Sequence, residues 1–188
     1  MTDQQIIQGI KNREEKAFQE FVDKYQEMVL NICSRFVHNY DDAMDIAQEV
    51  FIKVYDSVDK FKEQSKISTW LYRIAVNKSL NYIRDKKRKN IFSSLDLLFE
   101  SSGNNPAETI QDNSDGTEET IEKNEKKEAL MKAIDELPKK QKVAITLNKL
   151  EEIPYKEIAE IMDISVTETG VLINRAKKNI QKKLIKQF

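Results

Sequence analysis

Apolar residues recur at helical spacing along most of the chain, and the pattern breaks in only a few places. Ala17, Phe18, Phe21, Val22, Tyr25, Val29, Ile32 and Cys33 form one long stripe. Ile46, Ala47, Val50, Phe51 and Val54 form a second. The polar stretch 38–41 separates them, with Asp41 or Asp42 expected to cap the second helix. After Phe61 a short polar loop leads into a third helix over 68–89. Its apolar face holds Leu71, Ile74 and Ala75 beside Trp70. A different face holds Arg73, Asn77, Asn81 and Arg84. One face can be buried while the other offers planar hydrogen-bonding groups suited to base edges and phosphates. Lys87 and Arg88 extend that polar side into a basic end. Aromatic rings beside positive charge suit a single-stranded nucleic acid, since bases stack and cations follow the backbone. An amphipathic helix with a solvated basic end is the plain alternative for this stretch taken alone.

From about 90 to 120 the periodicity dissolves into Ser, Asn, Asp, Gly and Glu around Pro106. Such a segment buries too little apolar surface to offset its ordering entropy, so a flexible linker is expected over 91–122. The patch 93–99 is its one apolar exception. Helical spacing resumes near Ile121 and runs through Leu130, Ile134 and Leu137 to Pro138. The reading is therefore all-α: a helical bundle over 1–90, a linker over 91–122 and a second helical domain over 123–188.

The second domain ends in a helix-turn-helix pattern. Residues 155–162 make two helical turns with Ile158, Ala159 and Met162 inward. Asp163, Ile164 and Ser165 form the turn, and Ser165 with Glu168 has capping-box spacing. The next helix buries Thr169, Leu172, Ile173, Ala176 and Ile180. It presents Thr167, Gly170, Val171, Asn174, Lys177, Lys178 and Gln181 outward, with Arg175 at the edge. A helix so placed enters the major groove by its N-terminal part. A generic helical hairpin is the alternative, and the cap and the basic C-terminal half weigh against it.

Charge sharpens this division. Residues 1–90 carry 16 basic and 14 acidic side chains, 91–125 carry 1 and 9, and 126–188 carry 14 and 9. Two mildly basic blocks thus flank an acidic one. One Cys and one His make a zinc site of the usual ligands improbable and exclude an intrachain disulfide. Asp45 and Glu49 share a helical face, but a di-metal site needs a Glu-x-x-His pair that His38 does not supply. There is no phosphate-cradling Gly loop and no nucleophile with a general base in register, so no enzyme activity and no cofactor are expected. No stretch has the length of a membrane span, and a cytoplasmic protein without membrane insertion is expected.

Three segments together resemble bacterial RNA polymerase sigma factors of the extracytoplasmic-function group: DAMDIAQEVFIKVY at 42–55, STWLYRIAVNKSLNYIRDKKR at 68–88, and LPKKQKVAITL at 137–147 with the helix-turn-helix at 155–184. The resemblance spans about 17–184 with the linker left out. It implies that Asp45, Gln48 and Glu49 supply polar contacts to core RNA polymerase, while Phe51 shapes the domain core. It implies that Arg73, Asn77, Asn81, Arg84, Lys87 and Arg88 meet the promoter −10 element, and that loop 62–68 holds an extruded base. Thr167, Gly170, Val171, Asn174, Arg175, Lys177 and Lys178 then meet the −35 element. Partners implied are core RNA polymerase, promoter DNA and an anti-sigma factor. Asn81 stands where the family commonly has Asp. Glu168, Thr169, Gly170 and Leu172 replace its frequent Thr, Val, Lys and Arg, which bears on the −35 sequence read. A helix-turn-helix regulator that does not join polymerase is the runner-up, and a helical adaptor binding acidic proteins is a third reading.

Overall fold

The computed structural model of the chain describes residues 1–61, 65–100 and 118–185, with 91–100 and 118–124 as backbone alone. These residues form eight α-helices, one 3₁₀ turn and no strand, so the fold is all-α as the patterning predicts. The N-terminal bundle comprises α1 (Asp3–Lys11), α2 (Glu15–Val37), α3 (Tyr40–Ser57), the turn Val58–Lys60 and α4 (Ile67–Glu100). The C-terminal bundle comprises α5 (Glu118–Asp135), α6 (Lys139–Lys149), α7 (Tyr155–Met162) and α8 (Val166–Leu184). Residues 101–117 of the expected linker lie outside the described residues, as do 62–64 of the loop expected to hold a base. The apolar patch 93–99 falls on the backbone-only end of α4.

Local chemistry sets the helix ends. Thr2 opens α1 with a capping box: its hydroxyl accepts from the Gln5 amide at 3.3 Å and its own amide donates to Gln5 Oε1 at 2.8 Å. His38 closes α2 in the left-handed region, φ 55°, and turns the chain sharply into α3. Asn39 caps α3 by accepting from the Asp42 amide at 2.9 Å. Asp41 and Asp42, the expected caps, lie instead in the first turn, where a carboxylate meets the positive helix end.

The N-terminal core seals Phe21, Ile32, Phe36, Val50, Val54 and Leu71 from solvent. Phe51 meets Phe21 edge to face at 6.1 Å, the core role expected of it. Cys33 lies in the same core. Burial pushes its thiol up to about 11 against the opposing pull of Ser79, so it is a packing residue with little thiolate character. In the C-terminal core Leu147, Ile158, Ile173 and Ala176 are fully enclosed. The inward set of α7 differs from expectation by one position: Ile161 is buried and Met162 is half-buried. The short helix packs on both α8 and α4, so its apolar sector is wider than one partner requires.

Gly9 fixes the crossing of α1 over α2, because a methyl group there would overlap the side chain of Ala17. Gly9→Ala should therefore lower stability by about 1–3 kcal/mol through overpacking, despite the better helix propensity of Ala. Urea unfolding reads this as a lower midpoint; an unchanged or higher midpoint would show the crossing to be looser.

Candidate nucleic-acid and polymerase interface

Three surfaces carry the candidate residues. The first is the outward side of α3. Asp45, Gln48 and Glu49 are all exposed there. Lys78 of α4 donates to Glu49 at 2.8 Å, and Lys86 of α4 donates to Asp42 at 2.8 Å. The Lys86 and Tyr82 hydrogen bonds hold the Asp42 carboxyl below its ordinary range. Tyr40, Met44 and Ile52 are exposed on the same helix, in steps of four that pass through Gln48. Sequence reading missed these three. The signal was present as apolar residues that fall outside the buried stripe. This face is acidic, polar and apolar at once.

The second surface is α4. Leu71, Ala75 and Val76 are buried in the bundle. The Trp70 ring lies 4.8 Å from that of Phe61, so it supports the start of the helix and is only partly open to solvent. Asn77, Asn81, Arg84, Lys87 and Arg88 are exposed. Arg84 donates to its neighbour Asp85 at 2.9 Å, which raises the basicity of the guanidinium further. Lys86, beside the Tyr82 ring at 5.5 Å, adds a cation that the sequence reading left out. Arg73 is turned differently: its guanidinium donates to the backbone carbonyls of Glu160 and Ile161 in α7. Near the N-terminal end of α4, a recess is lined by Ser65, Lys66, Ile67 and Ser68 together with Asp3, Gln4 and Tyr25. Burial and the nearby Asp3 carboxylate push the Tyr25 hydroxyl up to about 12, so it remains a hydrogen-bond donor near neutrality.

The third surface is α8. Ser165 caps it, accepting from the Glu168 amide at 3.0 Å. The reciprocal half of the expected capping box is replaced, because the Glu168 carboxylate takes Lys140 of α6 at 3.3 Å. Thr169, Leu172, Ile173 and Ala176 are buried as expected. Thr167, Val171, Asn174, Arg175, Lys177 and Lys178 are exposed together. Gly170 is half-covered, and a methyl there would sit 3.7 Å from the Tyr155 ring. The helix thus offers small and polar groups near its start and cations further along.

The Sigma-70 region 2 model matches residues 21–89, and the Sigma-70 region 4 model matches residues 127–180. The ECF RNA polymerase sigma-E factor of Haemophilus influenzae is 36% identical over 184 residues, covering 98% of this chain and 96% of that protein. CnrH in complex with the cytosolic domain of CnrY is similar in fold, with a TM-score of 0.67, 16% identity and 99% of both chains covered. The sigma factor RpoE of Bartonella quintana, in complex with the anti-sigma factor NepR, is also similar, with a TM-score of 0.61, 20% identity and 90% and 97% covered.

On a helix that enters the major groove by its N-terminal part, base contacts come from its start and phosphate contacts from further along. Lys178→Ala should weaken duplex binding about equally on all sequences and lower the salt slope by roughly one unit. Asn174→Ala should change the preferred sequence. Binding-site selection on both variants checks this, and the reverse assignment would show that the outward face has been drawn in the wrong phase.

Proposed function

The chain belongs to the extracytoplasmic-function group of RNA polymerase sigma factors, and on that premise we propose which of its surfaces does which part of the work. A sigma factor is a non-catalytic polymerase subunit that directs core RNA polymerase to promoters. In this chain α3 docks on polymerase through Asp45, Gln48 and Glu49, with Tyr40, Met44 and Ile52 as apolar anchors. Charge at such a face steers encounter and fixes register, while the apolar side chains supply most of the contact energy.

The outward side of α4 meets the −10 element. Arg73, Asn77, Asn81 and Arg84 hydrogen-bond bases and phosphates of the opened strand, and Lys87 and Arg88 track its backbone. An extruded base costs a few kcal/mol in lost stacking and pairing, which a fitted recess offsets. The recess bounded by Ser65, Lys66 and Ser68 supports that role for the loop. The outward side of α8 binds the −35 element as duplex. On this reading the −10 unit spans about 1–90 and the −35 unit about 123–188. No helix among the described residues is long and apolar enough to cross a membrane, and we place the protein in the cytoplasm with its polymerase. The complex of RpoE with NepR suggests an anti-sigma factor as the inhibitor here too.

One observation carries the reading over that of a duplex-binding regulator: α2–α4 match Sigma-70 region 2 in addition to the helix-turn-helix. The test is reconstitution with core polymerase. Wild-type protein should support promoter-dependent transcription. Asp45→Arg should keep the helical circular dichroism and lose holoenzyme formation by tenfold or more, at least ~1.4 kcal/mol. Unchanged affinity for core polymerase would remove α3 from the docking surface.

A further inference from the structure

α8 carries a glycine that the fold does not require. Gly170 lies inside the helix with helical backbone, where glycine is less favourable than alanine. A methyl group there would approach the Tyr155 ring at 3.7 Å and 3.9 Å, which is ordinary contact. Neither a turn nor a close helix crossing therefore accounts for the missing side chain. Gly9 is the contrast, since a methyl there would overlap Ala17.

What the glycine does is leave an aromatic ring uncovered. Tyr155 is the first residue of α7, directly after the Pro154 cap, and is 37% exposed. Its ring borders the gap at Gly170. Along α8, Thr167, Gly170, Val171, Asn174 and Lys178 recur at helical spacing and share one face. Val171 is 41% exposed on that face. The one charged residue of α8 before Arg175 is Glu168, and its carboxylate takes Lys140 of α6 at 3.3 Å. Lys156 is exposed beside Tyr155. The start of the face thus consists of methyl groups, a ring and an amide, with cations at its margin. In the major groove Arg and Lys read guanine, whereas apolar side chains contact the thymine methyl.

We propose that Tyr155 is a specificity-determining residue for the −35 duplex: through the gap at Gly170 its ring reaches a base-pair edge and packs on the 5-methyl group of a thymine. This rests on the assignment of α8 to the −35 element. The reading surface then spans two helices, with Val171 and Asn174 from α8 and Tyr155 from α7. A tyrosine ring suits the task because it is large and gives up only two side-chain torsions on contact. A longer side chain at position 170 would stand between the ring and the bases.

The test uses the holoenzyme on a promoter that it transcribes, with each thymine of either −35 strand replaced in turn by deoxyuridine. The exchange removes one methyl group and keeps the base pair. At the thymine under Tyr155 it should weaken wild-type binding about fourfold, as the loss of one buried methyl group does. Tyr155→Ala should abolish that loss at this position alone. Tyr155→Phe should keep it, because the ring and not the hydroxyl makes the contact. Gly170→Gln should abolish it with Tyr155 in place, by covering the ring. The proposal is overturned if wild type is indifferent at every thymine, or if Gly170→Gln keeps the wild-type pattern. It is overturned equally if Tyr155→Ala weakens all duplexes alike and keeps that pattern, which is the behaviour of a residue that only supports the fold. The underlying assignment fails differently. If α8 does not bind the −35 element, Lys178→Ala and Asn174→Ala bind the promoter as wild type does.

Discussion

Everything in this molecule turns on α4 having to be a core helix and a reading surface at once. Leu71 and Ala75 are fully enclosed against α2 and α3, and that packing fixes the rotation of the helix. The polar stripe therefore does not have to order itself on binding; its register is set by the same contacts that hold the bundle together. Two ion pairs extend the constraint to α3. Lys78 with Glu49 and Lys86 with Asp42 link α4 to the outward side of α3. Exposed pairs such as these add little stability, but they align the outward sides of the two helices.

The second domain is built on a different economy. α8 is held by a Ser165 cap, a narrow buried stripe of Thr169, Leu172, Ile173 and Ala176, and bonds to α6 at Glu168 and Asn179, which leaves Thr167, Val171, Asn174, Arg175, Lys177 and Lys178 exposed. The short helix α7 is the shared element. Ile158 serves the domain's own core, while its last carbonyls receive Arg73 from the other bundle. The contact surface between the bundles is consequently mixed, with the Arg73 bonds beside a groove lined by Val76, Leu80, Val143 and Ile161.

Much of this was legible in the residues. The apolar stripes gave the helices, and the bounds 155–162 for the first helix of the helix-turn-helix agree with those seen. Ser165 was readable as a cap because its side chain acts on a local amide. Phe51 was readable as core. What failed to show was whatever depends on a distant partner. Asn39 caps α3 in place of Asp41 because the left-handed His38 sets where the helix can start. The Glu168 carboxylate leaves its local amide for Lys140, and Ile161 replaces Met162 inward because α4 lies over α7. The exposure of Tyr40, Met44 and Ile52 was hidden because local spacing does not say which apolar residues a bundle leaves outside. Arg73 was singled out correctly as polar and outward, but nothing in the sequence pairs it with the end of α7.

The account stands on the claim that the outward side of α4 opens the promoter. Permanganate reactivity of promoter thymines measures that opening directly in the reconstituted holoenzyme. Asn77→Ala with Arg84→Ala changes two exposed side chains outside the core, so folding and polymerase binding should persist. The prediction is a loss of thymine reactivity across the −10 element, tenfold or more at ~1.4 kcal/mol, while protection of the −35 element is retained. Normal reactivity in that double variant would contradict the account and move the strand-opening surface away from α4.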